Sequence, residues 1–386
     1  MTVSTGPVIR ASLLSLDTLA EDLASLDRRG RARRLSGRAG IDFASNDYLG
    51  LARSPRIGRA IRNAIERGVP AGSGGSRLLR GNDPEHEALE AEAAAYFGSE
   101  AALYFPTGYA ANAALLSTLP GREDLIVHDS LVHASAHEGM RLGRARSIAA
   151  GHNDPTQVEH AIARWRASGG TGRPWIAVES LYSMDGDHAP LHDLAIVAGR
   201  YDAMMVIDEA HATGVIGPGG RGLAAGIEGR PDVITLRTCG KALGCEGALV
   251  CGPRLVREYL INRGRSFIFS TAPSPLMASA VRESLRILAD EPERRETLAA
   301  LVAAAGHAFA PLGIGPVTSQ IVPVVIGDDA RTMRIAGALQ AAGFDVRGIR
   351  PPSVPEGTAR LRVSLTLNVT AADIGRLAAA LETLIT

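Results

Sequence analysis

Of the 41 lysine and arginine residues in this chain, 40 are arginine and one, Lys241, is lysine. Arginine can meet most needs for a positive charge. Only lysine offers a primary amine whose pKa can be lowered to make a nucleophile or a base. Lys241 stands in Thr238-Cys239-Gly240-Lys241-Ala242-Leu243-Gly244, just after the apolar run 233–236. Asp208 closes a second apolar run, 204–207, and His211 follows three residues later. The carboxyl ends of parallel strands are where open α/β sheets bind ligands. An aspartate there can also be a plain strand-end cap. An amine and a carboxylate on two such ends fit pyridoxal phosphate. Lys241 would form the Schiff base, and Asp208 would keep the pyridine nitrogen protonated so that the ring acts as an electron sink.

The phosphate of such a cofactor needs a cradle. Thr107-Gly108-Tyr109-Ala110-Ala111-Asn112 opens an apolar helical stretch. A helix start with a glycine lets an anion approach backbone N–H groups closely. Thr238, near the lysine, adds a hydroxyl. His133 could stack on the cofactor ring. His133 and His137 share a helical spacing, but the chain has no HExxH and no third ligand nearby, so no metal is expected. Cys239, Cys245 and Cys251 are six residues apart, unlike the CxxC of a zinc site, and read as small buried residues. Two glycine-rich segments invite other readings. Residues 217–222 fit GxGxxG but do not open a strand-to-helix turn. Residues 72–76 have no lysine after them and so form no nucleotide P-loop. They would let backbone pass close to the active site.

Elements must position these residues. A helix is expected over 84–97, with Asp83 as N-cap, Pro84 at the first position and Gly98 as the stop. The runs 175–178, 204–207, 233–236 and 248–251 are continuous rather than alternating, as strands buried on both faces should be. Helical stretches such as 191–199 separate several of them, which predicts a largely parallel sheet covered by helices. Beyond about residue 280 the pattern becomes helix-rich, with strands at 321–326 and 359–365. A last helix starts near Thr370, with Asp373 completing a capping box. The reading is α/β: an N-terminal arm over 1–50, a large domain over 51–280 and a smaller α+β domain over 281–386.

Composition bounds the class. With 41 acidic residues against 41 basic ones, a strongly basic nucleic-acid binder is excluded. Hydrophobic residues at 46% and charged ones at 21% mark a globular chain. Three clustered cysteines make no disulfide framework and suit a reducing cytoplasm. No apolar run reaches the ~20 residues of a membrane span, and Met1 to Arg10 lacks a secretory layout. The run Arg28-Arg29-Gly30-Arg31-Ala32-Arg33-Arg34 is either a solvated face or an attractor for an anionic substrate tail or carrier.

The chain resembles the α-oxoamine synthases over nearly its whole length. The motifs are Ser-Asn-Asp-Tyr-Leu-Gly-Leu (45–51), Gly-Ser-Gly-Gly-Ser-Arg (72–77), Gly-Tyr-Ala-Ala-Asn (108–112), Ser-Met-Asp-Gly-Asp (183–187), Asp-Glu-Ala-His-Ala-Thr-Gly-Val (208–215), Gly-Lys-Ala-Leu-Gly (240–244) and Phe-Ser-Thr (269–271). Arg-Pro-Pro-Ser-Val-Pro-Glu-Gly-Thr-Ala-Arg-Leu-Arg (350–362) is similar to the biotin-pathway branch in particular. The resemblance implies a pyridoxal-phosphate transferase fold of the aspartate-aminotransferase type and a homodimer with sites at its interface. It implies that His133 stacks on the ring, and that Ser183 and His211 reach its phenolic oxygen. Gly108, Tyr109 and Thr238 would bind phosphate, joined by Thr271 from the partner subunit. Arg362 would hold the amino-acid carboxylate. Asn46 and Ser353, which stands where the family has threonine, would line the substrate site, and Arg28 is a candidate for the acyl tail. The implied reaction is decarboxylative condensation of L-alanine with a pimeloyl thioester, carried by coenzyme A or a carrier protein. A sister synthase using glycine or serine with another acyl-CoA is the alternative. The intact lysine, aspartate and histidine set argues against a binding protein that keeps only the fold.

Overall fold

The computed structural model describes residues 16–35 and 37–385; the opening segment read above for a secretory layout lies outside them. Its strands in chain order are β1 (Ile41–Asp42), β2 (Ala101–Phe105), β3 (Leu125–Asp129), β4 (Arg146–Ala150), β5 (Pro174–Glu179), β6 (Met204–Asp208), β7 (Val233–Thr238), β8 (Ala248–Gly252), β9 (Ile321–Gly327), β10 (Phe344–Asp345), β11 (Arg347–Ile349) and β12 (Ala359–Ser364). Seven of them form one sheet in the order β2-β8-β7-β6-β5-β3-β4. The pairs among β7, β6, β5, β3 and β4 are parallel, while β8 runs antiparallel to both β7 and β2. The sheet is therefore mixed, with one reversed strand.

The continuous apolar runs have a direct cause. Alternate residues of the central strands feed two separate cores. Trp175, Ala177, Met204, Val206, Ile234 and Leu236 pack with Leu115 and Leu116 of the helix Gly108–Thr118. Ile176, Val178, Met205, Ile207 and Val233 pack with Leu194 and Val197 of the helix Leu191–Tyr201 on the other face. A strand covered on both sides has no polar alternation to show. β2, β3 and β4 stand outside the four runs singled out from sequence. β4 is an edge strand with an exposed Arg146-Ser147 start, so its composition does not announce it.

Local signals placed the helices well. Pro84–Phe97 begins where Asp83 accepts from Glu85 N at 2.9 Å and the His86 ring accepts from Asp83 N at 3.2 Å. It ends at Gly98, whose φ of 80° suits a glycine. The last helix, Ala371–Ile385, carries a reciprocal cap: Thr370 N donates to Asp373 Oδ2 at 2.8 Å and Asp373 N to Thr370 Oγ1 at 3.2 Å. It buries Ile374, Leu377, Ala378 and Leu381.

The three-stranded antiparallel sheet β11-β12-β9 lies in the C-terminal part. It shares one core with the segment 43–51 and with Ala242 and Leu243 beside the lysine. β1 pairs with β10 in parallel, Ser364 N donates to Phe43 O at 2.9 Å, and Leu367 N to Tyr48 O at 3.0 Å. The helix Pro275–Asp290 runs through residue 280 without a break. So the segment 41–51 and the last strand pack together against the residues that follow β7. Among the described residues no helix is long and apolar enough to cross a membrane.

Candidate active site

Lys241 follows β7 and reaches His211, which follows β6: Nζ and Nε2 are 2.8 Å apart. The other ring nitrogen, Nδ1, lies 2.7 Å from the hydroxyl of buried Tyr48. The Lys241 amine is pulled down to about 8, chiefly because its enclosure disfavours the charged form, while Asp208 and Glu179 oppose the shift. Burial also holds His211 well below its usual pKa, with Lys241 and Arg362 adding to the effect. His211 is thus a neutral ring between a phenol and an amine.

Asp208 closes β6. Its Oδ2 accepts from Asn112 Nδ2 at 2.8 Å and its Oδ1 from Ala210 N at 2.9 Å. Asn112 also donates to Ser135 Oγ at 2.9 Å, and Ser135 Oγ lies 2.8 Å from His133 Nδ1. This chain ties His133, the N-cap of the helix Ala134–Leu142, to the aspartate. His133, Asp208, Asn112 and Glu179 line one small cavity at the strand ends. Glu179 closes β5 and is paired in register with Asp208. Burial and the neighbouring Asp208 push its carboxyl up to about 8. Glu179 Oε2 accepts from Ser183 N at 3.0 Å, whereas Oε1 is buried with no partner. The cavity therefore pairs Asp208 with a neighbouring carboxyl that is mostly neutral at pH 7.

Arg362, on β12, is 7% exposed and takes part in no ion pair among the described residues. It is held by neutral acceptors: Ser183 O at 2.6 Å, Ser364 Oγ at 2.7 Å, Asn46 Oδ1 at 3.1 Å and the Tyr48 hydroxyl at 3.3 Å. A buried guanidinium without a carboxylate is a ready partner for one from outside. Its neighbour Arg360 differs, because Asp185 already neutralises it.

The helix Gly108–Thr118 starts beside β7. Thr107 caps it by accepting from Ala110 N at 3.0 Å, and Thr107 O accepts from Ala111 N at 3.1 Å. The N–H groups of Gly108 and Tyr109 are left without a partner among the described residues. A Cβ on Gly108 would lie 2.6 Å from Thr238 Cγ2, so only glycine allows this approach. Free N–H groups, a threonine hydroxyl and a helix N-terminus form a cradle that fits a phosphate. Together with Lys241 and Asp208, these residues fit pyridoxal phosphate.

The structure brings Lys241, His211, Asp208, His133, Ser183, Arg362 and Asn46 into one connected cluster, with Gly108, Tyr109 and Thr238 grouped at the helix start. Thr271, Arg28 and Ser353 are exposed and outside it. Ser353 instead lies 3.5 Å from an Arg33 nitrogen. Residues 71–75 pack on 272–274, next to Thr271, through Ser73 Oγ to Pro273 O at 2.6 Å and Ala272 N to Gly75 O at 2.9 Å. Within this chain they make no hydrogen bond to Lys241. Gly222, the last glycine of the GxGxxG match, sits against Glu209, whose carboxylate accepts from Leu223 N and Ala224 N. That segment folds as a turn around a buried acid. Sequence reading missed Tyr48, Glu179, Asn112 and Ser135. Glu179 carried a usable signal, since it ends its strand just as Asp208 does.

The family model described as aminotransferase class I and II matches residues 38–381. Fold and site together define a transferase of that class. Curated relatives narrow this further. The 8-amino-7-oxononanoate synthase of Anaeromyxobacter dehalogenans is 44% identical over 95% of both chains. That of Aromatoleum aromaticum is 42% identical over 96% of this chain and 98% of its own. The chain belongs to the 8-amino-7-oxononanoate synthase family. Among solved structures it is similar to the serine palmitoyltransferase of Sphingomonas wittichii, with a TM-score of 0.87, 28% identity and coverage of 97% and 98%. It is also similar to the 8-amino-7-oxononanoate synthase of Francisella tularensis, with a TM-score of 0.75, 27% identity and coverage of 89% and 96%.

Proposed function

We propose that the protein condenses L-alanine with a pimeloyl thioester, releasing carbon dioxide and the carrier thiol, to give 8-amino-7-oxononanoate. The carrying observation is the buried, carboxylate-free Arg362, linked through Tyr48 and His211 to the only lysine, in a chain whose 42–44% identical relatives bear that enzyme's name. When bound, pyridoxal phosphate supplies an aldehyde for the lysine and a ring that withdraws electrons from the amino acid. Asp208 would keep its ring nitrogen protonated by charge, and His133 would stack on its ring. Gly108, Tyr109 and Thr238 would hold its phosphate, with Thr271 contributed by a second copy, and Ser183 and His211 would serve its phenolic oxygen. Arg362, with Asn46, holds alanine by its carboxylate and so fixes which face of the α-carbon meets Lys241. Lys241 Nζ removes the α-proton; an amine near pKa 8 is well matched to that task at neutral pH. His133, on the open side of the cavity, can donate to the thioester oxygen as the carbon–carbon bond forms and the thiolate leaves. Loss of carbon dioxide then needs a proton at the α-carbon, which the Lys241 ammonium can return.

The acyl tail ends in a carboxylate and needs a cation. Arg31 is already committed to Asp329 and Glu356. Arg33 and Arg350 take part in no ion pair among the described residues, and both flank Ser353. We place the tail's carboxylate there rather than at Arg28, which makes no hydrogen bond to Ser353. We also propose a cytoplasmic homodimer. The helix Leu16–Arg28 buries none of its residues and exposes Leu16, Leu19 and Leu23, and Leu79 and Phe269 are also exposed. A second copy would cover such apolar surface.

A panel of amino acids crossed with acyl thioesters tests the reading. Alanine with pimeloyl thioester should give the highest kcat/KM, and heptanoyl thioester, which lacks the distal carboxylate, should fall well below it. Arg33→Ala should narrow that gap. Best turnover with serine and palmitoyl thioester would overturn the substrate assignment in favour of the chemistry named for the structural neighbours.

A further inference from the structure

His152 is used by none of the chemistry above, yet it joins two loops that carry site residues. Its Nδ1 lies 3.0 Å and 3.1 Å from the two carboxylate oxygens of Asp129, and its Nε2 lies 2.8 Å from Asp187 Oδ2. Carboxylates only accept, so a ring that bonds one through each nitrogen must carry a proton on both. The ring also packs edge-on against Tyr182, with centroids 4.4 Å apart. Tyr182, Asp129 and Asp187 are the titratable groups that face it. Both aspartates raise the imidazole, to about 10, although burial works against the charge.

The two loops matter. Asp129 ends β3 and accepts from Leu131 N at 2.8 Å and Asn153 N at 2.7 Å, which fixes the turn leading to His133. Asp187 closes the loop of Ser183: Tyr182 N donates to Asp187 O at 3.0 Å and Asn153 Nδ2 to Asp187 Oδ2 at 2.7 Å. Gly186 in the same loop is gripped by Ser319 Oγ at 2.7 Å.

We propose that His152 is a positioning residue whose imidazolium bridge between Asp129 and Asp187 sets the spacing of His133 and Ser183 across the cofactor pocket. The proposal rests on the pyridoxal-phosphate reading of that pocket, but its charge state can be read without cofactor.

The test uses the full chain with 15N-labelled histidine. At pH 8 the cofactor-free protein should show one doubly protonated imidazole among its ten histidines. That signal should be absent from His152→Gln. No such signal at pH 8, or its persistence in His152→Gln, overturns the bridge. Binding is then measured by titrating pyridoxal phosphate into each variant, with circular dichroism to confirm folding. His152→Gln and Asp187→Asn should each raise the cofactor Kd by about tenfold, and the double variant should be no worse than either, because all three break one linkage. Folded single variants with unchanged Kd, or effects that multiply in the double variant, overturn the positioning role. If the bridge signal is present while Lys241→Ala leaves turnover intact, the cofactor chemistry fails and the bridge stands.

Discussion

At the residue scale the site is an arrangement of charges kept apart by neutral groups. Arg362 and Lys241 are both cationic, yet they are separated by the phenol of Tyr48 and the neutral ring of His211. That ring cannot accept a second positive charge cheaply, so it steers the proton balance onto Lys241. In cofactor-free protein, alkylation of Lys241 should rise with pH around a midpoint near 8 rather than the ordinary 10.5. Peptide mass mapping across pH checks this. The sign for stability follows: from pH 8 to 10.5 the unfolded lysine holds a proton that the folded one has lost, so this group makes folding more favourable as pH rises through that window. Lys241→Ala should lower kcat by about 10²–10⁴-fold or more while circular dichroism stays unchanged. Asp208→Asn keeps the shape but removes the charge, and turns an amide against Asn112 Nδ2. We expect turnover to fall by about a hundredfold or more even at saturating cofactor, as measured by steady-state kinetics.

At the element scale, strand ends and helix starts do the placing. Gly108→Ala drives a methyl group to 2.6 Å from Thr238 Cγ2 at the mouth of a helix N-terminus. Cofactor Kd should rise about tenfold or more, with little change in Tm, as read by fluorescence titration and calorimetry. The His152 bridge has its own pH signature. Its folded pKa is raised, so its contribution is fully present below 6.5 and is lost as pH climbs through about 10. The Tm difference between wild type and His152→Gln should therefore shrink from pH 6 to pH 10. Much of this scale could be read from sequence, but unevenly. Asp83, Pro84 and Gly98 announce their helix because caps are local. Lys241 and Asp208 stand out because each follows a run buried on both faces. Tyr48 and His211 could not be joined that way, since 163 positions separate them and only the packing of 43–51 against the last strand brings them together. His152 likewise depends on aspartates 23 and 35 positions away. β4 stayed hidden because an exposed edge strand has no apolar run to show.

At the scale of the whole molecule, the exposed Thr271 makes no hydrogen bond to the cluster around Lys241 among the described residues. If two copies complete each other's sites, chains inactivated in different parts should rescue one another. Mixing Lys241→Ala with Thr271→Arg after partial unfolding should restore activity that neither shows alone, because one of the two sites in a mixed dimer is then intact. Sedimentation should give twice the mass of one chain. No rescue from a verified mixed dimer would mean each chain carries its own complete site. Last, the replacement of every other lysine by arginine leaves the outer surface without side-chain amines. Thioesters acylate exposed amines spontaneously, and this protein offers them no side-chain amine outside its own pocket. The same property makes peptide mapping of amine-labelled protein a direct gauge of pocket occupancy: an amine-selective reagent adds to a side chain at one place only, and whatever fills the pocket blocks that addition.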